Sequence, residues 1–214
     1  MNIGIILAGG IGSRFASDIP KQYQQIHGKE VLFYSYNALN KSPNIDRIVI
    51  TSQSQFISQI KANYPNADVI EGGSSRNGSL YNGLSHIKKT YEECKKVIIL
   101  EAARPMITPD IVSQYLTKLD SYDSVITGQK IVDSLGSFHK HVTFRTDYYL
   151  IQAPEAFNFN VLFDNFNPNS EITATNQQMP ENSTLYINFD FITNMKITYF
   201  QDLAYCEQLM NNNR

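Results

Sequence analysis

The chain is predicted to fold as an α/β protein around a doubly wound, mostly parallel sheet. Two observations carry that prediction. Short apolar runs without polar alternation recur between segments whose apolar residues follow helical spacing, and the first run opens directly into a glycine-rich loop. Strands of a parallel sheet read as continuous apolar runs because helices cover both of their faces.

Strands are expected at residues 3–7 (IGIIL), 47–51 (RIVIT), 67–72 (ADVIEG) and 96–100 (KVIIL). Helices are expected at 31–39, 55–64 and 77–93, with a closing helix within 198–212. In such folds ligands gather at the carboxyl ends of the strands. That rule brings residues 8–14, 72–79 and 101–105 around one crevice. From Val125 onward the pattern changes to β-type alternation broken by LGSF at 135–138. It predicts a protruding β-hairpin arm over 132–150, a shape suited to a dimer contact. No linker or internal repeat interrupts the remainder, so residues 1–214 are expected to form a single domain carrying that arm.

Composition narrows the function classes. At 42% hydrophobic and 18% charged residues, the chain is ordinary globular material and not a disordered one. A net charge of −2 supplies no basic field, which argues against a nucleic-acid backbone as partner and leaves anion binding to a few placed Arg and Lys residues. Cys94 and Cys206 have no metal or disulfide spacing and are expected as buried thiols in a reducing compartment. No apolar run approaches the roughly 20 residues of a membrane span, and the first strand is too brief for a signal peptide. A soluble, cytoplasmic protein without membrane partners is expected.

The loop LAGGIGSRF at 7–15 poses a question of ligand. Gly10 and Gly12 fit the first positions of a dinucleotide fingerprint, but Phe15 occupies the third, where a small residue is needed. No GK followed by Ser or Thr occurs, which removes the Walker A alternative. What is left is a loop whose glycines let backbone N–H groups approach a phosphate, with Arg14 at its end and Lys21 following in PKQY. Two cations beside such a loop suit a triphosphate, where charge accumulates during attack on the α-phosphorus. A glycine turn flanked by two surface cations has the same residues, and both readings stand at this point.

LAGGIGSRF followed by PKQY resembles the signature of the nucleotidyltransferases that activate sugars and polyols. Further motifs follow in order: GGSSRNGSLYNGL at 72–84, EAARP at 101–105 beside the pattern DAARP, and FRTDYYLIQAPEAF at 144–157 beside a segment ending in TPQAF. TNMKIT at 193–198 beside NIKIT and the closing DLAYCEQLM complete the series. Together they resemble the 2-C-methyl-D-erythritol 4-phosphate cytidylyltransferases and the related ribitol-5-phosphate cytidylyltransferases. The resemblance implies a Rossmann-like nucleotidyltransferase fold, a homodimer joined through the arm, and a reaction of CTP with a small polyol phosphate giving a CDP-alcohol and pyrophosphate. It also implies roles. Leu7, Ala8, Gly9, Gly10, Gly12, Ser13, Gly73, Arg76 and Ser79 would bind the nucleotide. Arg14 and Lys21 would stabilise the triphosphate and the transition state, and Arg145 (from the partner's arm) and Lys196 would hold the acceptor phosphate. Arg104, Asp133 and Thr173 would complete the substrate site, and Glu101 would bind magnesium.

The sequence departs from the pattern on one side of the site. Glu101 replaces an aspartate, SEITATNQQ at 170–178 keeps only Thr173 or Thr175 of a Thr-Asp pair, and Thr193 stands where an acid often precedes Asn194, with Asp190 nearby. The nucleotide half is intact and the acceptor half altered. That asymmetry favours an acceptor resembling ribitol 5-phosphate or another envelope-polymer polyol phosphate. Methylerythritol 4-phosphate, of isoprenoid synthesis, is the alternative, and a non-catalytic nucleotide-binding protein is the reading from another class.

Overall fold

The computed structural model describes residues 1–10, 12, 14, 15, 17 and 19–212. Its seven-stranded sheet has the order β5-β4-β1-β6-β8-β7-β9. The parallel part comprises β1 (Asn2–Leu7), β4 (Arg47–Ser52), β5 (Ala67–Glu71) and β6 (Lys96–Glu101). Next comes β8 (Tyr149–Asn158), antiparallel to both β6 and β7 (Ser124–Lys130), while β9 (Leu185–Asn188) runs parallel to β7 at the edge. A small hairpin of β2 (Gln25–Ile26) and β3 (Lys29–Glu30) stands apart from it. The helices are α1 (Val31–Lys41), α2 (Ile57–Asn63), α3 (Arg76–Thr90), α4 (Pro109–Lys118), α5 (Phe159–Asn165) and α6 (Asp202–Asn212).

Each central strand feeds two cores by its period-two alternation. Ile3 and Ile5 of β1, Val49 of β4, and Val97 and Ile99 of β6 pack with Leu80 and Leu84 of α3 on one face. Ile6, Ile50, Ile98 and Leu100 pack with Leu32 and Leu39 of α1 and Leu116 of α4 on the other. Burying each such side chain stabilises the fold by roughly 1.5–3 kcal/mol. Both faces are covered, which is why these strands carry no polar alternation. Cys94 and Cys206 are buried free thiols.

Two expectations change. The arm is not a β-hairpin over 132–150: β7 and β8 pair as far as Lys130 opposite Tyr149, and residues 131–148 contain no strand, only a 3-10 turn at Arg145–Asp147. Alternation makes a strand only where one face finds something to cover it, and Val132, Phe138, Val142 and Phe144 are exposed. The helix α4 has no counterpart among the expected elements, although Thr108 caps it by accepting from Ile111 N–H (3.3 Å) and Pro109 opens its first turn.

One irregularity matters for the site. Ile126 lies opposite Glu155 and Thr127 opposite Gln152, so Ala153 and Pro154 form a bulge in β8. Proline lacks the N–H that a regular ladder would need. Such bulges re-aim a neighbouring side chain, here that of Glu155.

Candidate active site

The carboxyl ends of β1, β4, β5 and β6 open into a cleft of about 450 Å³. Its first wall is the glycine loop. Ala8 N–H donates to Thr51 O (2.8 Å), and the loop carbonyls are tied back by side-chain amides. Gln22 Nε2 donates to Ala8 O (2.6 Å) and Gly10 O (3.0 Å), and Gln53 Nε2 donates to Gly9 O (3.2 Å). With those carbonyls turned inward, the N–H groups of Gly9 and Gly10 have no acceptor among the described residues. Leu7 O takes the N–H of Ala102, which joins this wall to the end of β6. Gly12 has φ +66°, a left-handed conformation that suits glycine. Phe15 anchors the loop from beyond, buried with its ring centroid 5.7 Å from Phe200. Ser13 lies outside the described residues.

The opposite wall is the turn into α3. Ser75 caps the helix by accepting from Gly78 N–H (2.9 Å), and Ser79 Oγ accepts from Gly73 N–H (3.1 Å) while donating to Ser75 O (2.9 Å). Ser79 therefore shapes the wall through its backbone. A Cβ on Gly73 would lie 2.6 Å from Gly78 C and 2.9 Å from Ser79 N, backbone atoms that cannot swing aside. Gly73→Ala is expected to push the turn off α3 and weaken binding of the CTP that the resemblance implies about tenfold or more, equivalent to about 1.4 kcal/mol, as read by calorimetric titration. Unaltered affinity would mean that the turn does not touch the nucleotide.

Between the walls sits a charge cluster. Glu101 Oε2 is 2.7 Å from Lys196 Nζ and 3.3 Å from Arg104 Nε, and its Oε1 is 3.3 Å from Arg76 Nε. Burial alone would raise the Glu101 carboxyl, but Lys196, Arg76 and Arg104 outweigh it and hold the group at about 2. Lys21 Nζ donates to Ile197 O (2.8 Å). Burial, then Lys196 and Arg14, lower its ammonium to about 8, with Glu101 pulling the other way. Arg14 is exposed and does not line the cleft, although its charge reaches Lys21. Arg104 is buried behind Glu101 and also donates to Asn194 O (2.9 Å), so it faces the protein more than the cleft.

Glu101 is the sole acid lining the cleft among the described residues, which contain no group of three or more His, Cys, Asp or Glu able to hold a metal. The donor set therefore does not fit an ion held by protein alone. One carboxylate, whose Oε1 carries only the longer 3.3 Å contact to Arg76 Nε, fits no more than magnesium that arrives on a triphosphate, the usual arrangement of one or two carboxylates plus phosphates.

Several residues fall elsewhere than expected. Arg76 points inward: Nη1 donates to Thr173 O (2.8 Å) and Thr175 Oγ1 (3.3 Å), and Nη2 to Glu155 Oε1 (3.1 Å). Thr173 thus offers its carbonyl, and the buried hydroxyl facing the cluster belongs to Thr175. Arg145 and Asp133 lie on the exposed arm segment outside this cleft, Arg145 Nη1 donating to Val132 O. Thr193 and Asp190 line a second cavity, with Ile111 and Met210, not the one holding Glu101. Sequence patterns do not single out Gln22, Gln53 or Glu155. Each works through a contact distant in sequence, and only their proximity to quoted motifs could have drawn notice.

Comparison with known proteins agrees with this geometry. A family profile described as IspD, 2-C-methyl-D-erythritol 4-phosphate cytidylyltransferase, matches residues 3–212. A 2-C-methyl-D-erythritol 4-phosphate cytidylyltransferase of Clostridium botulinum is 30% identical, over 98% of this chain and 97% of that protein. A bifunctional ribulose 5-phosphate reductase/CDP-ribitol pyrophosphorylase of Haemophilus influenzae is 32% identical over 75% of this chain and 36% of its own length. The crystal structure of 4-diphosphocytidyl-2C-methyl-D-erythritol synthase from Anaerococcus prevotii shares the fold, with a TM-score of 0.82 at 20% identity over 98% of this chain and 96% of that one.

Proposed function

Since the chain belongs to the 2-C-methyl-D-erythritol 4-phosphate cytidylyltransferase family, and so is a CTP-dependent cytidylyltransferase acting on a polyol phosphate, we propose that its acceptor is methylerythritol 4-phosphate. The match over residues 3–212 carries this reading. A second acceptor, ribitol 5-phosphate, is favoured by the likeness to the CDP-ribitol pyrophosphorylase.

The chemistry needs no covalent protein intermediate. A phosphate oxygen of the acceptor forms a bond to the α-phosphorus of CTP while the bond from that phosphorus to the bridging oxygen breaks, and pyrophosphate departs with the electron pair. The protein's task is to hold two anions together and neutralise charge on the five-coordinate phosphorus. The N–H groups of Gly9 and Gly10 face the phosphates, and Lys21 and Arg14 supply positive charge beside them. Lys196, held 2.7 Å from Glu101, stands where it can take the acceptor phosphate. Glu101 would hold a magnesium ion that arrives on the triphosphate, and the ion's charge would lower the repulsion between the two anions. Arg145 would complete the acceptor site from a second copy, the exposed Val132, Phe138, Val142 and Phe144 being the apolar surface that a dimer would cover.

Pyrophosphate release from CTP, with magnesium and with EDTA, across methylerythritol 4-phosphate, ribitol 5-phosphate and glycerol phosphates tests the assignment. Release with the first alone is expected, and its loss in EDTA. Release with ribitol 5-phosphate alone would move the enzyme to the second reading. Silence with every acceptor despite CTP binding would overturn both.

A further inference from the structure

The carboxylate of Glu155 is almost fully buried at the bulge in β8. It belongs to no expected role, yet it joins two elements. Its Oε1 accepts from Arg76 Nη2 (3.1 Å) at the first residue of α3, and its Oε2 accepts from the backbone N–H of Asn176 (3.1 Å). Arg76 Nη1 reaches the same segment at Thr173 O and Thr175 Oγ1, and Asn77 Nδ2 donates to Ser170 O and Ile172 O (2.8 Å each). The first turn of α3 is thereby fastened to residues 170–176, where the resemblance places part of the acceptor site.

We infer that Glu155 is a positioning residue for the acceptor, its two carboxylate oxygens latching Arg76 and the 170–176 segment into one unit. This rests on the transferase reading above. The latch needs an acceptor at both ends. Burial pushes the Glu155 carboxyl up against the pull of Arg76, but both of its oxygens accept here, whereas an amide supplies one acceptor oxygen and a donor nitrogen. Glutamine at 155 would have to turn its NH2 toward either the Arg76 guanidinium or the Asn176 N–H, breaking one bond whichever way it lies. The pattern TPQAF carries glutamine where this chain has Glu155, so the latch in this form belongs to this chain's own departure. Leaving a charged buried partner unmatched costs more than losing a neutral bond.

The test is Glu155→Gln, nearly identical in shape. Amide exchange across 173–177 is expected to rise about tenfold through local opening, with CTP affinity changed less than about threefold and acceptor KM raised about tenfold, a loss equivalent to about 1.4 kcal/mol. A purely structural role would move neither KM apart from kcat nor one substrate apart from the other. Arg76→Lys, which keeps the charge but cannot span Glu155 and both loop oxygens, should reproduce the exchange change if the glutamine variant is poorly folded. Unaltered exchange at 173–177 in folded variants overturns the inference. Because exchange is read without acceptor, it decides the latch even if no acceptor supports turnover, a failure that would instead overturn the transferase reading.

Discussion

Replacing Lys21 with alanine is expected to lower kcat for pyrophosphate release by about 10²–10³-fold, the usual loss when one preorganised charge donor is removed from a transition state. CTP affinity should change far less. The ammonium is poorly solvated and stands beside Lys196 and Arg14, which is why it titrates at about 8 and not at its ordinary 10.5. Its charge is unfavourable in the empty cleft and becomes favourable when negative charge develops there, so its contribution is concentrated in the transition state. The linkage has a definite sign. Between about pH 8 and 10.5 the folded chain binds fewer protons at this group than the unfolded chain. The charged Lys21 therefore costs stability below about pH 8, and the cost fades as pH rises toward 10.5. Lys21→Ala should melt slightly higher than the parent at pH 7 while turning over slowly, and the parent's kcat/KM should fall as pH rises past about 8. Equal losses in kcat and CTP affinity, or a lower melting temperature, would remove Lys21 from that role.

The parts of this molecule legible in its sequence are those decided by short-range rules. Strands β1, β4, β5 and β6 are apolar throughout because two cores flank them, and Gly12 reports a backbone only glycine takes readily. These fix the sheet, and the strand-end rule then fixes the cleft. What stayed hidden depends on contacts between distant residues. Nothing local in GGSSRNGS says that Arg76, which lines the cleft, also reaches inward to Glu155 and Thr175. The amides of Gln22 and Gln53 look like ordinary polar positions until they are found holding the carbonyls of Ala8, Gly9 and Gly10. The arm misled for the complementary reason. Its apolar alternation follows the strand rule, but within this chain nothing covers Val132, Phe138 or Phe144. Alternation states that a face needs covering and not what covers it.

Glu101→Gln is expected to destabilise the fold by about 3 kcal/mol, because it leaves Lys196, Arg76 and Arg104 without the charge that offsets their burial. The titration of Glu101 leads to the same magnitude by a separate route. A carboxyl held at about 2 against its ordinary 4.5 gains about 3 kcal/mol on ionising in the folded state, at about 1.4 kcal/mol per pH unit. A depressed carboxyl contributes stability that is fully present above the unfolded value, and here it is lost as pH falls from about 4.5 toward about 2. The difference in unfolding free energy between parent and variant should therefore be constant at neutral pH and shrink steadily across that acid window. Denaturant melts at pH 7, 4 and 2.5 measure it, and a gap that does not narrow in acid would show that Glu101 is not the ionised centre of the cluster. Glu101→Asp separates the two duties of the side chain. It restores the charge while withdrawing the carboxylate by one methylene, so it should recover most of the lost stability if neutralising the cations is the main task. Its turnover then reports whether the extra reach of glutamate serves the triphosphate's metal: activity lost at restored stability places that reach in the reaction, and activity recovered along with stability confines Glu101 to holding Lys196, Arg76 and Arg104 in place.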